Sequence, residues 1–327
     1  MIQDMAATPD QVLQGLDTIN GSISVVGSMN ADYTVTTDRL PNPGETINGG
    51  PLQILPGGKS ANQAAAAARI GAHVQLFGAV GSDPNADFLL GQLGNAGVDT
   101  SQVMTVPGPS GTTVITVDAQ GENTIVYSPG SNAKVDVDYT HRSQKALTSA
   151  KVLGLCLESP IETVTEAARM GHEAGMTVLL NDSPFRADLP SDLIAYSDLI
   201  LVNEHEMAQL LGIDEPEDGD WTKADWDRTN QTMQDFGFHR AIVTLGGEGS
   251  MVLDNGENYR IHAVKVDAVD TTGCGDAFMG TILAGLSSGM SLVESAQLAS
   301  YVSAYAATGQ GAQASYGSAE QIRYRFA

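Results

Sequence analysis

Short, solid apolar runs recur along this chain, and most are closed by a polar residue at the carboxyl end. Ser22-Ile-Ser-Val-Val26 leads through Gly27 to Asn30 and Asp32, and Lys151-Val-Leu-Gly-Leu-Cys-Leu157 ends at Glu158. Thr177-Val-Leu-Leu-Asn181 and Asp198-Leu-Ile-Leu-Val-Asn203 end on asparagines, and Ala241-Ile-Val-Thr-Leu245 carries Thr244. Apolar runs without alternation are the pattern of strands buried on both faces. Helical spacing separates them, for example over 87–96 before Gly97 and over 161–174. This alternation predicts an α/β fold: a three-layer sandwich whose mostly parallel central sheet is covered by helices on both faces. Polar groups at the carboxyl ends of parallel strands face the crevice where such folds bind ligands, so the series outlines one active edge. For Asn30 and Asp32 the alternative is an Asx turn that merely closes the strand.

Two segments read differently. Tyr33-Thr-Val-Thr-Thr and Thr112-Thr-Val-Ile-Thr-Val117 alternate as half-exposed antiparallel strands do, and 119–123 reads as a hairpin turn. They predict a small, discontinuous β-sheet from residues 33–57 and 105–128, set over the crevice as a lid. The main unit is expected over 21–327, with 1–20 as a loosely attached tail.

The chemistry concentrates in Asp270-Thr-Thr-Gly-Cys-Gly-Asp276, followed by an apolar run at helical spacing. A glycine-flanked turn feeding a helix leaves backbone N–H groups free in the first turn, which makes an anion site. An acid at the mouth of an anion site would repel a phosphate that was only being held. Asp276 makes sense if it takes a proton from a hydroxyl while the N–H groups take up charge on a transferring phosphoryl group. The alternative is a helix cap. Upstream, Gly57-Gly-Lys-Ser-Ala-Asn62 nearly matches a P-loop, but Gln53 occupies the first glycine position and no clear strand leads into it, so that reading fails. The paired glycines still permit close backbone approach. Lys59 and Asn62 either face a ligand or are ordinary residues of a helix's first turn.

The net charge of −23 (16 basic against 39 acidic residues) argues against nucleic acid as a partner. No apolar run approaches the ~18 residues of a membrane span. Two distant cysteines and the absence of a basic-then-apolar leader imply a reducing cytoplasm. No zinc-hydrolase, nucleophile-elbow or dinucleotide motif is present. Asn203-Glu-His-Glu206 could instead position hydrated Mg²⁺. Residues 215–227 read as a solvated acidic insertion around Trp221 and Trp226.

Together, Gly57-Gly-Lys-Ser-Ala-Asn62, Asn203-x-x-Glu206 and Asp270-Thr-Thr-Gly-Cys-Gly-Asp276 resemble the ribokinase/PfkB-type sugar-kinase superfamily. Gly27-Ser-Met-Asn-Ala-Asp32, Pro43-Gly-Glu-Thr46, Leu157-Glu-Ser-Pro160 and Gly311-Ala-Gln313 narrow the resemblance to its ribokinase branch, over residues 23–326. The resemblance implies ATP-dependent phosphorylation of a small sugar, with D-ribose foremost. Deoxyribose, fructose, a nucleoside, or a silent sugar-binding regulator are the alternatives. It implies that Asn30, Asp32, Gly58, Lys59, Asn62 and Glu158 hold the sugar, that Asp276 is the base, and that Gly273, Cys274 and Gly275 form the anion hole. Asn203 and Glu206 would serve phosphate and water-bound magnesium, and Thr244, Gly246, Gly249, Gly275 and Ser300 the nucleotide. Asp270, Thr272, Ala306, Gly309, Gly311 and Ser315 would hold an activating monovalent cation, K⁺. The resemblance also implies a homodimer through the lid. Three residues depart from the branch: Ser60 for a glycine, Cys274 for alanine or glycine, and Ser300 for a larger adenine contact.

Overall fold

The computed structural model describes residues 2–5 and 7–327. From edge to edge its main sheet runs Ile2–Asp4, Glu257–Ile261, Ser250–Asp254, Arg240–Thr244, Leu199–Asn203, Thr177–Asn181, Val152–Leu155, Ser22–Val26 and His73–Phe77. Arg240–Thr244 through His73–Phe77 pair in parallel, whereas Ser250–Asp254 is antiparallel to both of its neighbours. The solid apolar runs are the parallel strands, because helices cover both of their faces. Successive residues point to opposite cores: Ile23, Val25 and Leu179 to one, Val26, Leu153, Val178 and Leu180 to the other.

A second sheet of four strands has the order Gln53–Gly57, Asn30–Thr36, Gly111–Val117, Asn123–Ser128. It joins the two separated segments expected from alternation, beginning at Asn30 rather than 33 and at Gly111 rather than 105. The chain passes from Ser22–Val26 directly into Asn30–Thr36, so the junction of the two sheets falls at Gly27 to Asn30.

The helices Lys59–Arg69 and Cys274–Ser287 pack against each other on one face of the main sheet. Both are rich in small residues, which lets their backbones approach. At Gly280 a Cβ would stand 2.4 Å from the Gln63 carbonyl oxygen, so the crossing requires glycine there. This contact brings the first turns of both helices to the same place.

The N-terminal segment corrects one expectation. Ile2–Asp4 extends the main sheet in parallel with Glu257–Ile261, and Val12, Leu13, Leu16 and Ile19 are buried in the core. Asn20 and Gly21 donate their N–H groups to Ser288 Oγ at 3.1 and 3.0 Å. The residues described from this segment are an integral edge of the fold, not a loose tail; Met1 and Ala6 lie outside the described residues. The sequence gives no warning, because a three-residue strand and a one-turn helix carry too little periodicity. The acidic insertion also differs: Trp221 and Trp226 are buried core residues, and acids cap the short helices around them.

Candidate active site

The junction of the sheets gathers most of the expected sugar contacts. Asp32 sits on the small sheet beside Thr113, whose hydroxyl donates to its carboxylate. Burial, then the neighbouring charges of Glu158 and Asp276, push the Asp32 carboxyl up to about 6 against the Thr113 bond. Asn30 is buried at the hinge and accepts from Asn132 Nδ2 at 2.7 Å. Asn132, fully buried, also accepts from Met29 N and donates to Tyr127, so it ties the small sheet to the main body. Glu158 accepts from Ser28 Oγ and from the Lys59 backbone N–H at 2.9 Å, capping the helix Lys59–Arg69 from outside, since Gly58 supplies no side chain. Burial alone would lower the Lys59 ammonium, yet the carboxylates of Asp276 and Glu158 outweigh it and raise it.

Asp276 lies in the first turn of Cys274–Ser287, but the N-cap is Gly273, at φ 76°, where a side chain would strike Ala312 and Tyr316. The Asp276 carboxylate makes no capping bond. One oxygen accepts from Asn62 Nδ2 at 2.9 Å and the other from Gln63 Nε2 at 3.1 Å. Burial pushes the Asp276 carboxyl up, while Lys59 and the two amides pull it down. The turn beside it differs in one respect from expectation. Cys274 spends its own N–H on Thr271 O at 3.1 Å, leaving the N–H groups of Gly273, Gly275 and Asp276 without an acceptor among the described residues. The Cys274 thiol is half-buried, and desolvation pushes it up to about 11, far from a reactive thiolate.

A polar pocket of about 230 Å³ continues from here, lined by Lys59, Asn181, Asn203, Glu206, Thr244 and Asp276. Asn203 and Glu206 form a reciprocal cap on the helix Glu204–Leu211, each backbone N–H bonded at 2.8 Å to the other's side chain. Burial raises the Glu206 carboxyl. Thr244 and Gly275 are shared with a second pocket of about 480 Å³ that holds Gly246, Gly249, Phe278, Ser300 and Ser303. Ser300 donates to Ala296 O at 3.2 Å, so this departure leaves a small wall in the larger pocket. Ser60 is accommodated too: it is buried against Gly27, with its hydroxyl 2.8 Å from Cys156 Sγ.

Asp270 staples two loops, accepting from Thr272 N and Gly311 N at 2.9 Å each. Gly309 packs against Ser315, and the Ala306 carbonyl accepts from Gly309 N at 3.1 Å. The expected cation residues therefore lie in one loop pair behind the Gly273 turn. Motif reading missed Gln63, Asn132, Thr113 and Tyr316, and included Gln313 in a motif without giving it a role; Tyr316 donates its hydroxyl to Gly273 O at 2.9 Å.

The chain is similar to known proteins over most of its length. Residues 20–318 match the pfkB family of carbohydrate kinases. The ribokinase of Schizosaccharomyces pombe is 35% identical over 303 residues, covering 90% of this chain and 94% of that protein. A deoxyribokinase of Salmonella typhimurium is 33% identical over 302 residues, covering 92% of this chain and 97% of that protein. Among solved structures, the Arabidopsis thaliana ribokinase complexed with ribose and ATP superposes with a TM-score of 0.84 at 27% identity, covering 93% and 97% of the two chains.

Proposed function

The chain belongs to the pfkB family of carbohydrate kinases, and on that premise we propose that it transfers the γ-phosphoryl group of ATP to the primary hydroxyl of D-ribose. The observation that carries this reading is the position of Asp276. Its carboxylate stands between a hydroxyl-binding junction and a nucleotide-sized trough, held by two amides and free of any capping duty.

Asp32, Asn62 and Glu158 hold the sugar hydroxyls, with Asn30, Gly58 and Lys59 completing the wall. The hydroxyl proton passes to Asp276 as the oxygen–phosphorus bond forms. The bond from the γ-phosphorus to the bridging oxygen breaks, and its electron pair leaves with ADP. The free N–H groups of Gly275 and Asp276, at the positive end of the helix, take up charge on the transferring group. Gly246, Gly249 and Ser300 border the base and ribose of the nucleotide, and Thr244 lies at the passage to its phosphates. The small sheet closes over the sugar from Asp32 and excludes water.

Asn203 and Glu206 fit a hydrated Mg²⁺, since an amide and a carboxylate in a polar pocket suit a small cation that keeps several waters. When bound, the ion neutralises phosphate charge. The loop pair offers only oxygen donors, from Asp270, Thr272, Ala306, Gly309, Gly311 and Ser315, which fits a hard monovalent cation such as K⁺. Ile54, Val114 and Val126 form one cross-strand row with Tyr33 on the small sheet and are 45%, 53% and 67% exposed, an apolar face suited to the same sheet of a second copy. Two free cysteines fit a reducing cytoplasm, and no helix of the described residues is long and apolar enough to cross a membrane.

The second reading is 2-deoxyribose, favoured by the deoxyribokinase relative. Phosphorylation by ATP across ribose, deoxyribose, fructose and adenosine tests both. Ribose is expected to have the highest kcat/KM. Robust turnover of adenosine with none of ribose would refute the assignment, and binding without turnover of any sugar would leave a silent regulator.

A further inference from the structure

We propose that Gln63 is a positioning residue for phosphoryl transfer, holding the Asp276 carboxylate in the orientation that meets the sugar hydroxyl. The inference rests on the kinase reading above and goes beyond it.

Gln63 is fully buried at the start of the second turn of Lys59–Arg69. Its side chain has a determined orientation, because both ends of the amide are occupied. The nitrogen donates to Asp276 Oδ1 at 3.1 Å and to Asn181 Oδ1 at 3.3 Å. Its oxygen faces Cys156 Sγ at 3.8 Å, and Cys156 also touches Ser60 Oγ. Burial and the nearby carboxylates push the Cys156 thiol far above its usual range, so it stays protonated and able to donate to Gln63. A flipped amide would set an oxygen against the oxygens of Asp276 and Asn181. Asn181 is fixed in turn, donating to Leu201 O at 3.0 Å.

The other carboxylate oxygen hangs on a parallel chain. Asn62 donates to Asp276, and Gln313 Nε2 donates to Asn62 Oδ1 at 3.0 Å. Asp276 is thus held from both sides by neutral amides, which orient it without competing for its proton. The backbone sets the register: the close crossing at Gly280 fixes how far Gln63 stands from the helix that carries Asp276. A bystander glutamine at a helix interface would need neither the two acceptors nor the buried donor behind it.

The groups facing Asp276 give the pH direction. Lys59, Asn62 and Gln63 favour the ionised carboxylate, whereas burial, Glu158 and Asp32 oppose it; Cys156, Cys274 and Tyr316 are held neutral by burial. Removing the Gln63 donor therefore raises the pH at which Asp276 becomes a competent base.

The test compares Gln63→Met, which keeps length without a donor, and Gln63→Glu, which keeps shape with an acid, against the parent. It measures kcat, sugar KM, the pH profile of kcat, and melting temperature. Gln63→Met is expected to lower kcat roughly 10–100-fold, the worth of one hydrogen bond to a charged group. Sugar KM should stay within about 3-fold and the acid limb should move upward. Gln63→Glu should lose more at high pH, where two carboxylates oppose, and recover part of the loss at low pH, where a protonated acid can donate. Gln313→Met reads the parallel chain one bond further out and should show a smaller kcat loss; should Gln63→Met fail to fold, Gln63→Glu decides the matter, a kcat and pH profile unchanged from the parent counting against the proposal. Unchanged kcat and pH profile in Gln63→Met, or a loss confined to sugar KM, overturns the proposal while the active parent upholds the kinase. A parent that phosphorylates no sugar overturns both.

Discussion

Replacing Asp276 with Asn separates the base from every bystander role. The structure has already removed helix capping as an explanation, because Gly273 occupies the N-cap and the Asp276 oxygens are committed to Asn62 and Gln63. Asn keeps the volume but cannot accept a full proton, so kcat should fall roughly 10²–10⁴-fold. That corresponds to roughly 3–5 kcal/mol of lost transition-state stabilisation. The exchange is isosteric but does not preserve the bonding pattern. Asn offers one oxygen and one NH₂ where Asp offered two acceptors, so one of the two donating amides meets another donor. That mismatch costs roughly 1–3 kcal/mol. Removing a carboxylate whose pKa burial raises offsets part of it. Melting temperature should therefore stay within a few degrees of the parent, and the KM of sugar and of ATP should change little. Steady-state kinetics with a coupled ADP assay, beside thermal denaturation, give all four quantities. A folded Asp276→Asn variant that retains kcat within about 10-fold of the parent would falsify the assignment of a general base.

Asp182 is fully buried, bonds Arg186 N through one oxygen, and leaves the other unpartnered; burial first, with Glu206 also raising it, pushes its carboxyl from 3.8 to about 7. A raised acid gives a folded state that holds its proton longer than the unfolded chain, so stability falls as pH rises from about 4 to about 7. The full difference corresponds to roughly 4 kcal/mol; Asp182→Asn should melt higher than the parent at pH 8 and about equal at pH 4, and equal melting at both rejects the idea. Potassium should raise sugar phosphorylation clearly over a buffer with Mg²⁺ but no K⁺ or Na⁺, by ordering the Gly273 turn through Asp270; identical rates in both buffers would remove the cation from the loop pair. Val114→Asp, on the exposed face of the small sheet, should convert a dimer to a monomer in light scattering, and a parent already monomeric at micromolar concentration contradicts the lid-mediated dimer.

Local pattern made much of this molecule readable. Solid apolar runs read as buried parallel strands because two flanking helical layers leave no exposed face to alternate against, and their polar ends fall where expected, at Glu158, Asn181, Asn203 and Thr244. The small sheet was readable from the alternation around Tyr33 and Thr112, but Asn30–Thr36 and Gly111–Val117 pair in parallel, whereas alternation suggested antiparallel strands throughout. Less visible were residues whose role depends on distant partners. Gln63 looks like one more residue of an alanine-rich helix until the crossing at Gly280 sets it against Asp276. Asn132 follows a loop with no motif of its own, yet it fastens the sheet junction through bonds that span about a hundred residues of sequence. A trace of signal existed for Gln63: it is a long polar side chain directly followed by five alanines, one turn after Lys59 and Ser60.

The charge distribution suits the proposed reaction, in which an acidic protein holds a triphosphate and still releases its product. Asp32, Glu158 and Asp276 interact as like charges at the sugar end, with Lys59 as the cation among them. On the proposed reading a neutral polyol would relieve that repulsion, because its hydroxyls add donors to carboxylates already held by Thr113, by Ser28 and the Lys59 N–H, and by Asn62 and Gln63. On the same reading the triphosphate would meet the free backbone N–H groups at the start of Cys274–Ser287, which supply positive potential without a full charge. After transfer the new phosphate dianion belongs to the sugar, whose other hydroxyls still lie among the acids. On this reading its charge would sit beside Glu206 and Asp276, and repulsion would favour departure once Asp276 has lost the proton it took from the hydroxyl. On the proposed reading the carboxylates that favour a neutral acceptor would also disfavour the charged product, and a site with more cations would bind both substrates tightly at the expense of release.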